Sequence, residues 1–105
     1  MKSEWRLPTV DELHEVFDYK KGKPKIDGFT LDGYWSSITH AIYTHYAWVV
    51  GFYTGYTDYG SKSGTGYVRC VKKRKDGGLK WSKVTKKKMT WYEANEYCKE
   101  LNNEK

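Results

Sequence analysis

Two stretches of the chain, TVDELHEVF and TWYEANEYCKEL, place a threonine three residues ahead of a glutamate and follow it with apolar residues at steps of three and four. That spacing is a capping box, in which the threonine oxygen accepts from an amide of the first turn and the glutamate reaches back to the cap. Each box therefore fixes where a helix starts and which face it buries. In the first, Thr9 and Glu12 form the box, Asp11 adds a favourable negative charge to the first turn, and Val10, Leu13, Val16 and Phe17 make the apolar stripe, predicting a helix over 9–19. In the second, Thr90 and Glu93 open a helix over 90–101 with Trp91, Ala94, Cys98 and Leu101 on one face, and Asn102 and Asn103 can stop it.

The layer between these helices reads as strand. GYWSSIT (33–39), AWVVGFY (47–53), YVRCVKK (67–73) and LKWSKV (79–84) are rich in aromatic and β-branched residues. Asp76-Gly77-Gly78 between the last two is a hairpin signal, because such residues tolerate the positive φ that tight hairpin turns require. KKGKPKIDGFTLD (20–32) is loop-like, and TGYTDYGSKSGTG (54–66) shows no periodicity and reads as a long exposed loop. One domain is expected at 105 residues, and with aromatics at 17% against 38% hydrophobic residues overall, much of its core must be aromatic. Trp5, Leu7, Leu13, Phe17, Trp35, Trp48, Val50, Trp91, Ala94 and Leu101 are the expected core. The fold class is α+β, two helices on a small, mainly antiparallel sheet with a long irregular loop region.

A net charge of +6 favours anionic partners, although of the 19 basic residues only Arg6, Arg69 and Arg74 offer the planar fork that suits phosphate. A lysine-rich solvated surface accounts for the charge equally well. No apolar run suits a signal peptide or a membrane span, so an intracellular location without membrane insertion is expected, the alternative being a secreted or surface protein whose leader has been removed. Cys70 and Cys98 can form a disulfide in an oxidising place or stay reduced in a core. P-loop, GxSxG, HExxH and CxxC patterns do not occur. His40 and His45, five apart, do not share a strand face, so no metal site is expected from them. Acidic residues on the first helix read as a solvated face. The chain is expected not to be an enzyme and to need no cofactor.

WRLPTVDEL, YWSS, AWVV, YVRCV and MTWYEANEYCKEL together resemble the domain that closes the Legionella collagen-like adhesin and many bacterial surface proteins. The resemblance implies a variant of the C-type-lectin-like fold, related in shape to formylglycine-generating enzymes and to variable phage receptor-binding domains. It also implies Cys70 and Cys98 as disulfide partners. The order differs from the family pattern, in which the TW, A, YC, L helix precedes WRLPT, so the chain resembles a circular permutation joined through the Asp76-Gly77-Gly78 turn. Glu4 and Asn102 are then expected to lie near each other within one chain; a tandem-array window and a helix swapped onto a neighbour are the rivals. The calcium-lectin motifs and the enzymes' catalytic cysteine pair have no counterpart here.

Two candidate surfaces follow. Tyr53, Tyr56, Tyr59, Lys62 and Tyr67, interleaved with Ser61, Ser63 and glycines, have the composition of a paratope, in the region that usually faces ligands in lectin-like folds. Tyrosines folded back on the body are the competing reading. Lys72, Lys73, Arg74, Lys75, Lys80 and Lys83, followed by Lys86, Lys87 and Lys88, form a basic hairpin suited to a polyanion, and the adhesin's association with sulfated glycosaminoglycans points the same way. Nucleic acid is a lesser possibility, since Trp81 alone is available for base stacking. The expected function is a non-catalytic module binding a protein or an anionic glycan. The alternative is an intracellular, phage-borne inhibitor or accessory protein acting on a host protein or nucleic acid. The oligomeric state is open.

Overall fold

The computed structural model describes residues 4–30 and 32–103. Among them run α1 (Val10–Glu15), β1 (Phe17–Asp18), β2 (Lys23–Pro24), β3 (Gly33–Thr39), β4 (Tyr46–Gly51), β5 (Tyr56–Ser61), β6 (Val71–Lys73), β7 (Leu79–Trp81) and α2 (Trp91–Leu101). The strands form three small antiparallel sheets, β1-β2, β3-β4-β5 and β6-β7, and the fold is α+β.

Both capping boxes form. Glu12 N donates to Thr9 Oγ1 while Thr9 N donates to Glu12 Oε1, and Thr90 and Glu93 repeat the exchange. The ends fit less well. The helix expected over 9–19 stops at Glu15, and Phe17–Asp18 turn back instead as a strand against Lys23–Pro24, inside the stretch read as loop. Phe17 is buried either way, so its place in the helical stripe could not distinguish the two conformations. The strand expected over 47–53 is Tyr46–Gly51, with Phe52 and Tyr53 in the following turn. Those over 67–73 and 79–84 shorten to Val71–Lys73 and Leu79–Trp81. Tyr67 instead makes an isolated parallel bridge to Tyr34, and Arg6 pairs with Val71.

The largest departure is the supposed loop over 54–66, the middle of which, Tyr56–Ser61, is β5, paired with β4 from Tyr46↔Ser61 to Gly51↔Tyr56. Gly55, at φ +76°, makes the turn, and a Cβ there would lie 2.6 Å from the Phe17 ring. β5 is an edge strand left largely exposed, so it carries no apolar alternation and reads as loop.

The three-stranded sheet divides two cores. On one face Trp35, Ala47, Leu7, Val68, Cys70, Ala94 and Cys98 pack together under α2. On the other Tyr34, Val50, Phe52, Phe17 and Leu13 pack under α1. Six of the ten expected core residues are buried. Trp5, Trp91 and Leu101 pack half-exposed on the edge of the α2 core, and Trp48 belongs to neither core. Cys70 and Cys98 are disulfide-bonded, tying α2 to the strand region before β6. Trp5 N donates to Asn102 Oδ1 at 2.7 Å and Asn102 Nδ2 to Trp5 O at 3.2 Å, so α2 docks on its own chain and Asn102 sits beside the neighbour of Glu4. No helix among the described residues is long and apolar enough to cross a membrane.

Candidate binding surfaces

β4 presents Tyr46, Trp48 and Val50 to the α1 side of its sheet, since Tyr34 pairs with Val50 and both enter the α1 core. With only six residues, α1 covers the Val50 end and no more. Trp48 is left at the mouth of an open groove of about 630 Å³, lined also by Thr9, Val10 and Asp11 from the start of α1, Ile38 from β3 and Thr57 from β5.

The indole is held by other rings. His40 stacks on it at 4.8 Å between centroids, and Tyr59, its cross-strand partner, meets it edge to face at 5.8 Å. Tyr59 also contacts Tyr46, and Tyr43 contacts His40. His40 Nδ1 accepts from the amides of Ile42 and Tyr43, which organises the β3-β4 turn and assigns the ring proton to Nε2 in the neutral imidazole. Around this cluster Ile42 is 77% exposed and Tyr43 58%.

The opposite wall is fixed by a hydrogen-bond chain. Tyr19 OH donates to Gly55 O, so its oxygen accepts from His14 Nδ1–H, and His14 Nε2 lies 2.5 Å from Thr57 Oγ1. In the neutral ring Nε2 accepts the Thr57 hydroxyl proton. Burial pushes the Tyr19 phenol up from its ordinary range, which keeps it a donor.

The residues proposed for a ligand-facing loop are dispersed. Tyr53 and Tyr56 project from the β4-β5 turn, 75% and 72% exposed, and Tyr59 joins the Trp48 cluster. Lys62 is buried, its ammonium 4.2 Å from the centroid of the Trp91 ring, so it is a packing residue between β5 and α2. Tyr67 packs half-buried against the α1 core, with Lys88 Nζ over its ring. Trp48, His40 and the groove residues were not anticipated as a site. The two-residue alternation of Tyr46 and Trp48 was the one signal in the sequence; that α1 is too short to cover them was not legible, since 9–19 reads as helix.

The basic hairpin forms as expected. Gly77 takes φ +91° at its turn, and Arg74 N donates to Gly78 O. Lys72 and Lys80 stand directly opposite each other across β6 and β7. Lys73, Arg74, Lys75, Lys80 and Lys83 are exposed, and Lys72 is half-buried with Nζ 5.1 Å from the Trp5 ring centroid. Arg74 Nε pairs with Asp76 at 3.2 Å. Arg69 is different: buried, it stacks on Phe29 and donates to Ser82 O and Asp27 O, and desolvation lowers its pKa.

A disulfide-bridged α+β domain with an aromatic groove on one sheet face and a lysine hairpin has the outward character of a small recognition domain. The model of the Lcl C-terminal domain family matches residues 1–72, and the chain belongs to that family, which places it among adhesin-associated binding modules. No curated protein and no solved structure matches the chain.

Proposed function

We propose that the chain is a non-catalytic binding module that takes an anionic, sulfated glycan on the β6-β7 hairpin. The observation that carries this reading is the Lys72–Lys80 pair. Like charges directly opposite on a two-stranded ribbon destabilise it, and a polyanion across the pair turns that cost into attraction. Lys75 and Lys83 extend the same charge. Lysine rather than arginine suits a diffuse polyanion more than a bidentate phosphate or base contact. The Cys70–Cys98 disulfide favours an oxidising compartment, and so an adhesin-type setting over an accessory protein inside a cell.

Binding to a sulfated glycan array at two salt concentrations, beside a pull-down from host lysate, tests the proposal. Lys72→Glu with Lys80→Glu is expected to weaken binding by at least about tenfold and flatten its salt dependence. Salt-insensitive capture of one protein, indifferent to both substitutions, would displace the polyanion.

We also read the chain as lectin-like with its order permuted. The family match ends at residue 72, at the start of the hairpin, while α2 returns to bond Cys70 and to meet Trp5 through Asn102. A chain opened at Gly77 and joined by a short linker between Asn103 and Glu4 is expected to fold with the same disulfide and a similar melting temperature. Failure of that chain to fold, with the parent stable, would count against permutation.

A further inference from the structure

We propose that the groove between α1 and the open end of the β3-β4-β5 sheet docks a lysine side chain carried on an otherwise apolar segment of a protein partner. The charge of the groove argues for this occupant. The chain has a net charge of +6, yet of the six residues lining the groove only Asp11 is charged. Among the described residues its carboxylate has no ion-pair or side-chain hydrogen-bond partner. A negative site in a positive protein selects a cation by complementarity, and disfavours the polyanion assigned to the hairpin.

The groove's shape and walls refine that choice. Trp48 offers a π surface fixed from behind by His40 and at the edge by Tyr59, and an ammonium beside an indole is the favourable cation–aromatic pairing. Val10 and Ile38 line the approach, which suits the four-carbon stem of a lysine, and the Thr57 hydroxyl is oriented by His14. The groove is open, so it does not enclose a free small molecule as a ligand cavity does. Exposed Ile38, Ile42 and Tyr43 around it supply the apolar rim that a partner segment needs to exclude water from a central anchor. This site is separate from the glycan hairpin, and either can fail without the other.

A capped Leu-Lys-Leu peptide titrated into the isotopically labelled protein, followed by amide and indole NMR shifts, provides the test. Saturable shifts are expected at the Trp48 indole N–H and the Thr57 and Asp11 amides at millimolar peptide. Acetylating the lysine, or Asp11→Asn, is expected to weaken binding about fivefold each. Trp48→Ala should abolish binding while the spectrum stays dispersed, and Lys72→Glu with Lys80→Glu should leave it unchanged. Equal binding of charged and acetylated peptides, shifts centred on the hairpin, or no saturable shift at all would overturn the proposal.

Discussion

Trp35 and Trp48 sit on adjacent strands, in motifs of similar composition, and meet opposite fates. Trp35 is 2% exposed, its indole N–H donates to Met89 O at 2.8 Å, and Gly60 and Gly66 come close against its ring. Trp48 lies half-exposed on the other face, held by rings that are themselves partly open. The difference lies above the sheet rather than in it. Eleven residues of α2, sutured by a disulfide, close one face, while six residues of α1 close half of the other. What covers a strand decides whether its tryptophan becomes core or surface.

Paired substitutions are the strongest way to break that contrast. Trp35→Ala is expected to cost about 3–5 kcal/mol, since it leaves a large cavity and removes the indole hydrogen bond to Met89 O, which then accepts from Gly66 N alone. Trp48→Ala is expected to cost about 1 kcal/mol or less, because its site already opens to water. Chemical denaturation of both variants measures the gap. Equal losses would mean that the Trp48 cluster is a third core and not a surface.

Local rules carried the reading a long way where they act within a few residues. Both capping boxes, the Asp76-Gly77-Gly78 hairpin and the Tyr34/Trp35 strand follow from spacing and turn chemistry alone. β5 was lost because an edge strand with both faces wet needs no apolar alternation. Lys62 was misplaced because nothing local to it predicts Trp91, which lies far along the chain yet draws its ammonium inward. The groove was hidden for the same reason. Trp48 looks like core until the length of α1 is known, and that length turns on Phe17 choosing strand over helix. Family resemblance supplied the Cys70–Cys98 pairing, which spacing left open.

The smallest expected effect sharpens the comparison at the covers themselves. α2 is held covalently, whereas α1 is held through a carboxylate: Arg6 donates to both oxygens of Glu12 at 2.7 and 2.8 Å, and Glu12 also accepts from Thr9 N. The Arg6 hydrogen bond is the main cause holding the Glu12 carboxyl below its usual range, opposed by partial burial and helped by Thr9. A depressed acid contributes stability that is complete above its unfolded value, about 4.3, and is lost as pH falls through the lower folded value. Because Arg6 is nearly half exposed, solvent screening limits the contribution to about 1 kcal/mol or less. Glu12→Gln should therefore lower stability slightly at neutral pH and converge with the parent as pH falls through the lowered folded value of Glu12. Amide exchange across that range should show α1 losing protection before α2. Simultaneous loss in both helices would show that the two covers act as one unit, and that the sheet's faces differ only in how much they cover.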